Sequence, residues 1–260
     1  MIKKLINKIV GITGYNFNKK YNQKTYLDNL LKLFIKKNDP VILDIGANKG
    51  QSVERFQSIF KDPYIYSFEP VKSCFNLLKK KIENKKRFKA YNIAICKNNK
   101  KKKIYIYEND AHSSFHKVLE DTKWLKLRSK KINTSPKKYL KKAELVSSET
   151  IDNFCKKNKI KNIDILKIDT QGNEDNVLKG CRNLLKQKRI KVIQVEIILQ
   201  DVYNKYLNIY DIEKYLIPNS YRLLATNKFG NLIDNYSFQM DILYTTNPNP
   251  AFSISLSSLR

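Results

Sequence analysis

Only two histidines occur among the 260 residues, His112 and His116, so no metal site built from several imidazoles can form. The four cysteines are Cys74, Cys96, Cys155 and Cys181. None makes a CxxC pair, and all fall in stretches that read as regular structure. Structural zinc and a disulfide framework are therefore not expected, and the chain is expected in a reducing, cytoplasmic compartment. Seven glycines and seven prolines leave few linkers, and no internal repeat is found. No run of about 18 uncharged apolar residues occurs, so no transmembrane helix is expected. Residues Met1-Ile2-Lys3-Lys4 begin like the charged region of a signal peptide. Asn7 and Lys8 then interrupt the apolar run, and no small-residue cleavage site follows. This segment is read as an amphipathic helix that packs as a lid. The alternative is peripheral association with a membrane surface through its lysines and Ile/Leu side chains.

Acid is scarce as well: 24 Asp and Glu stand against 51 Lys and Arg, a formal net charge of +27. That charge suggests an anionic partner such as nucleic acid, anionic lipid or an acidic substrate. A plainer reading is codon bias, since Lys, Asn, Ile and Tyr share A/T-rich codons and the chain has 28 Asn and 16 Tyr. Arginine, the better reader of bases and phosphates, occurs only seven times. The lysine clusters at 79–81, 85–86, 100–103, 130–131, 137–138 and 141–142 are scattered, with no ribonucleoprotein-like motif among them. Nucleic acid is therefore not the expected partner. With 42% hydrophobic and 11% aromatic residues the chain is not intrinsically disordered and can fill a core.

The hydrophobic pattern divides the chain into a helical extension over 1–38, an α/β domain over 39–247 and a tail over 248–260. Apolar runs at 41–45, 64–68, 88–95, 163–168 and 192–197 read as buried strands. Helices are predicted at 51–60, 71–83, 150–158, 174–186 and 209–217, with further strands at 104–107, 221–228 and 238–245. Lysine-rich residues 108–147 show little periodicity and are expected to be an irregular insert. Strand–helix alternation with buried strands implies a parallel sheet covered on both faces. The short connection around Gly230-Asn231 implies that the last two strands are antiparallel.

Ligands of such sheets bind beyond the carboxyl ends of the strands. After the first strand comes Asp44-Ile45-Gly46-Ala47-Asn48-Lys49-Gly50-Gln51, a glycine turn that is neither G-x-G-x-x-G nor a P-loop. After the second comes Phe68-Glu69-Pro70, an acid placed to accept two ribose hydroxyls. A glycine turn with an acid one strand later, and no phosphate cradle, favours a nucleoside lacking a pyrophosphate: S-adenosylmethionine. The turn Asp44, Gly46, Ala47, Asn48, Gly50 and Gln51 would meet its amino-acid end and Glu69-Pro70 its ribose. Asn92 and Ala94, after the third strand, would meet its adenine. The fourth strand ends in Leu166-Lys167-Ile168-Asp169-Thr170-Gln171-Gly172-Asn173-Glu174, and the fifth adds Glu196 to the same rim.

Together the motifs Asp44–Gln51, Phe68–Pro70, Leu166–Glu174 with Val177-Leu178-Lys179-Gly180, and Val195-Glu196 resemble the FkbM family of methyltransferases over roughly residues 40–245. L-K-I-D-x-x-G-x-E is the most specific element, and Thr150-Ile151-Asp152 resembles the T-L-D element that precedes it. Gln171 stands where the family often has an acid, and the Lys-rich segment at 117–147 has no counterpart. The resemblance implies a seven-stranded Rossmann-like class I methyltransferase fold with helices on both faces, S-adenosylmethionine as donor, and O-methylation of sugar hydroxyls in glycans or secondary metabolites.

A sugar hydroxyl is a poor nucleophile near neutral pH, so a base must take its proton, an effect of about 10²–10⁴-fold. Asp169 is the first candidate, Glu174 the second and Glu196 the third. His112, ahead of Ser113-Ser114, is a fourth. A divalent cation on Asp169 would also lower the acceptor's pKa, but Asp169 with Gln171 beside it is thin coordination, and no metal ligands are assigned. Two other readings compete: an RNA methyltransferase using the basic surface, and a non-catalytic binding module that keeps the cofactor fold. The intact glycine turn and Glu69 argue against the second.

Overall fold

The apolar runs at 41–45 and 163–168 become central strands buried on both sides. In the computed structural model, which describes residues 23–227 and 238–247, the elements follow in chain order. Helix α1 (Gln23–Phe34) precedes β1 (Val41–Ile45), α2 (Gln51–Ile59), β2 (Tyr64–Phe68), α3 (Lys72–Ile82) and β3 (Phe88–Tyr91). Then come β4 (Ala94–Ile95), β5 (Lys101–Tyr107), α4 (Lys123–Lys131), β6 (Leu140–Glu149), α5 (Ile151–Lys157) and β7 (Ile163–Ile168). The chain closes with α6 (Glu174–Lys179), α7 (Arg182–Lys186), β8 (Ile190–Ile198), α8 (Ile209–Leu216), β9 (Arg222–Thr226) and β10 (Gln239–Thr245). The amphipathic segment expected at the N-terminus, the connection around Gly230-Asn231 and the 248–260 tail lie outside the described residues.

Seven strands form one sheet in the order β3-β2-β1-β7-β8-β10-β9. All run parallel except β10, which is antiparallel to both β8 and β9, as the sequence pattern predicts. The period of two sorts side chains to opposite faces. Leu43, Leu166 and Val195 pack with Phe154, Val177 and Ile212 of the helices on one face. Ile42, Ile165 and Val192 pack with Leu31, Phe56 and Leu78 on the other. The strand order reverses between β1 and β7, which opens a crevice at their carboxyl ends.

Three expectations are corrected. Residues 108–147 are not irregular: β5 pairs antiparallel with the ten-residue β6, and a 3₁₀ turn at Asp110–His112 and helix α4 lie between them. Strand β6 is invisible to a periodicity search because most of its side chains face solvent, with only Val146 and Ser148 buried. Helix α4 is started by Thr122, whose hydroxyl accepts the Leu125 N–H at 3.1 Å. The run 88–95 is two strands: β3 stays in the main sheet, while β4 joins a second sheet of order β4-β6-β5. The helix at 174–186 breaks at Gly180, where the chain passes so close to Cys96 that a Cβ would lie 2.2 Å from the Cys96 carbonyl oxygen.

Candidate active site

The turn after β1 is built by backbone hydrogen bonds. Gly46 and Ala47 both donate their N–H to the Phe68 carbonyl, at 3.1 and 3.0 Å, and Asp169 donates to Ile45 at 3.0 Å. These bonds bring the ends of β1, β2 and β7 together. Gly46 has φ +82, and a Cβ there would sit 1.8 Å from the Asp169 carbonyl oxygen, so no other residue fits. The turn borders a cavity of about 640 Å³.

At one part of this cavity lies Glu69, 5% exposed. Its two carboxylate oxygens accept from the N–H groups of Asn48 and Val71, each at 2.8 Å. Burial pushes its pKa up to about 7 against the opposing pull of those two bonds. Asn92 donates to the carbonyls of Glu69 and Pro70, both at 2.9 Å, and so fixes the acidic turn. Asn92 itself does not border the cavity, contrary to the adenine role read from its position, whereas Ala94 does, beside Phe68, Val71 and Ile104. This set of a carboxylate flanked by apolar walls suits a ribose and an adenine ring.

Ala47, Asn48 and Gln51 border the cavity, whereas Asp44 and Gly50 do not. Asp44 is wholly buried, and its partner is the Lys167 ammonium at 3.3 Å. The expectation that Asp44 meets the cofactor is thus corrected: it faces a neighbouring strand. Lys167 is also 3.3 Å from Asp169 Oδ2. Burial opposes its charge, but Asp44, Asp169, Glu196 and Asp241 outweigh burial and hold its pKa above the ordinary lysine value.

Asp169 borders the cavity with its side chain 30% exposed. Gln171 Nε2 donates to Asp169 Oδ1 at 3.1 Å and to Glu196 Oε1 at 2.9 Å, and so joins the two candidate bases. Gln239 donates to the other Glu196 oxygen at 3.0 Å. Burial, with Asp169 and Asp241 nearby, raises the Glu196 pKa well above the usual carboxylate range. Asp241 continues the pattern, accepting from Gln194 at 3.2 Å and Asn227 at 3.0 Å. The rim is therefore three carboxyl groups alternating with four amides.

Glu174 is not part of that rim. Its oxygens accept from Thr170 N–H (2.9 Å), the Thr170 hydroxyl (2.9 Å) and Gly172 N–H (3.0 Å), turned away from the cavity. It holds the loop where Gln171 takes φ +54 and Gly172 φ +99. His112 does border the cavity, but Nδ1 is 2.5 Å from the Tyr139 hydroxyl and Nε2 3.4 Å from Asn109 Nδ2. Burial, reinforced by the Arg128 charge, lowers its pKa to about 4, so the ring is neutral near pH 7. Both nitrogens are engaged, which leaves it poorly placed to take a proton. Among the described residues no three His, Cys, Asp or Glu side chains converge to hold a metal ion.

Gln194, Tyr203, Asn227, Gln239 and Asp241 were not marked by any motif. The Tyr203 hydroxyl lies 3.0 Å from Gln171 Oε1 and 2.9 Å from the His112 carbonyl. A weak signal existed for two of them: on β10, Gln239 and Asp241 alternate with the apolar Met240 and Ile242, which puts both on one face. Among the described residues no helix is long and apolar enough to cross a membrane.

Residues 44–223 match the model of the methyltransferase FkbM domain. A curated relative, the 2-O-methyltransferase NoeI of Sinorhizobium fredii (strain NBRC 101917 / NGR234), is 26% identical over 175 residues, which cover 66% of this chain and 69% of that one. Among solved structures, Aeropyrum pernix fibrillarin with bound S-adenosyl-L-methionine is 14% identical, with a TM-score of 0.44 over 86% of this chain and 76% of that one. Magnesium protoporphyrin IX methyltransferase (ChlM) of Synechocystis PCC 6803 with bound cofactor is 9% identical, with a TM-score of 0.44 over 94% and 96%. The family model spans most of the chain and takes in the glycine turn, Glu69, Asp169 and Glu196. The chain belongs to the FkbM methyltransferase family and is an S-adenosylmethionine-dependent methyltransferase.

Proposed function

We propose that the methyl acceptor is a hydroxyl of a sugar or glycan, and that Asp169 takes its proton. The observation that carries this reading is the rim of Asp169, Glu196 and Asp241 interleaved with Gln171, Gln194, Asn227 and Gln239. Carboxylates accept from sugar hydroxyls, and the amide nitrogens of Gln194, Asn227 and Gln239, each donating to one carboxylate, keep a second hydrogen with which to donate to them. An apolar or flat aromatic acceptor would use none of the donors and acceptors that the rim still offers. A relative named a 2-O-methyltransferase supports the same reaction type.

S-adenosylmethionine supplies an activated methyl group on a sulfonium when bound. The residues of the chain must then hold the acceptor oxygen in line and remove its proton. Asp169 borders the cavity with its side chain 30% exposed. Lys167 lies 3.3 Å from one of its oxygens and Gln171 donates to the other, which together fix its plane and leave a lone pair for the acceptor. Glu196 and Asp241, both with raised pKa, are suited to share hydroxyl hydrogen bonds rather than to abstract the proton. Glu69 and, from the turn, Gly46, Ala47, Asn48 and Gln51 hold the cofactor.

The test is methyl transfer from labelled S-adenosylmethionine to a panel of free sugars, nucleotide sugars, oligosaccharides and RNA, with products resolved by mass spectrometry. Label in a sugar hydroxyl is expected. Label confined to RNA, or to no sugar while the cofactor binds, would overturn the assignment.

A further inference from the structure

Three cationic side chains border the cavity: Arg55, Lys167 and Arg128. Arg55 is tied to Asp28 at 2.7 Å and to Gln194 at 3.0 Å. Lys167 stands between Asp44 and Asp169. Arg128, on α4, differs. No carboxylate and no hydrogen-bond acceptor among the described residues engages it. Its guanidinium carbon lies 5.8 Å from the Trp124 ring centre and 5.6 Å from that of Phe238. Those two rings stack at 6.0 Å with an interplanar angle of 11°. Asp110, an acid that borders the same cavity, is already matched by Lys49 at 2.6 Å.

We propose that Arg128 holds an oxyanion, a carboxylate or a phosphate, carried by the acceptor, so that the enzyme methylates acidic or phosphorylated sugars in preference to neutral ones. This inference rests on the sugar reading above and names the class of sugar. The aromatic pair fixes the guanidinium by cation–π contact while leaving its N–H fork free. A planar fork recognises a carboxylate or phosphate through two parallel hydrogen bonds. Arg128 is half-buried at the cavity border, where an anionic ligand would supply the counter-charge that no described carboxylate gives it. The position fits specificity rather than chemistry: Arg128 belongs to the segment between β5 and β6, whereas the rim that would hold the reacting hydroxyl comes from β8 and β10 and from the ends of β7 and β9.

Trp124 is the chain's single tryptophan and lies under Arg128, so its fluorescence reports occupancy there directly. The full chain, saturated with S-adenosylhomocysteine, is titrated at constant ionic strength with glucuronate, glucose 1-phosphate and glucose. Glucuronate, glucose 1-phosphate or both should perturb Trp124 saturably, at concentrations about tenfold or more below glucose. Whichever responds identifies carboxylate or phosphate as the anion. Arg128→Gln should erase the difference, and Arg128→Lys, which keeps the charge but not the fork, should keep part of it. Unchanged affinity for S-adenosylhomocysteine shows that the variants are folded. Equal responses to charged and neutral sugars, or a difference that survives in Arg128→Gln, would overturn the inference. If sugars are methylated with no Arg128-dependent preference for the charged ones, the inference falls and sugar methylation stands. If glucuronate binds through Arg128 but no sugar is methylated, the sugar reading falls, and the acidic-acceptor inference falls with it.

Discussion

The Lys167 ammonium lies 3.3 Å from the Asp44 carboxylate, and the two residues are register partners on the adjacent strands β7 and β1. Asp44 is fully buried, and neither of its oxygens accepts a hydrogen bond among the described residues. Lys167 also reaches Asp169, so the pair links the sheet interior to the proposed base. Lys167→Met would leave Asp44 buried without its counter-charge, a loss of about 3–5 kcal/mol. Urea denaturation should show that loss, and Asp44→Leu in the same chain should restore most of it. Additive losses in the double variant would mean the pair does not act as a unit.

Glu69 gives the cofactor site a pH dependence. Its pKa is raised to about 7, and the ionised form is the one that accepts two ribose hydroxyls. S-adenosylhomocysteine affinity should therefore fall as pH drops through 7, approaching tenfold per unit well below it. Stability of the unliganded chain moves the other way on this group's account. A raised folded pKa contributes stability that is complete below the unfolded value, near 4.5, and is lost as pH rises through about 7. Calorimetric titrations across that range, with Glu69→Gln as control, check the sign. The variant should bind weakly at about pH 8 and show a flatter profile.

Asp169→Asn keeps the size of the side chain and its bond from Gln171, but not the basicity. It should lower kcat by about 10²-fold or more while S-adenosylhomocysteine affinity stays within about twofold. Survival of methyl transfer within about tenfold would remove Asp169 as the base. Gln171→Ala should lower kcat less, since it frees Asp169 and Glu196 from a shared donor without removing either.

The parallel sheet was legible because its strands are short apolar runs ending in glycine or acid, and each motif at a strand end falls beside the crevice. What the motifs could not distinguish was direction. Asp44 and Glu69 each stand at or near a strand end, yet one points into the sheet at Lys167 and the other into the cavity. Glu174 opens a helix beside Asp169 but turns to its own loop, because three donors there satisfy it locally. The amides of the rim escaped notice since Gln194 and Gln239 sit in strands that read as core. Strand β6 escaped because a solvent-facing strand rich in lysine carries no apolar alternation.

Gly180 tests whether the second sheet supports the cofactor site. Its backbone is ordinary, φ −82 and ψ −2, so a substitution is not strained by conformation. A Cβ would instead lie 2.2 Å from the Cys96 carbonyl oxygen, and backbone on both sides must separate to admit it. Cys96 follows β4, whose Ala94 and Ile95 border the cavity, and its N–H donates to Glu149 of β6 at 2.8 Å. Gly180→Ala should therefore destabilise the chain by about 1–3 kcal/mol and also weaken cofactor binding, although residue 180 does not touch the cavity. Gly46→Ala, with its Cβ 1.8 Å from Asp169 and a positive φ, should be the more damaging of the two in both measurements. Thermal denaturation and S-adenosylhomocysteine titration of both variants give the ordering. A stability loss in Gly180→Ala with unchanged cofactor affinity would show that β4 yields without moving the cavity wall.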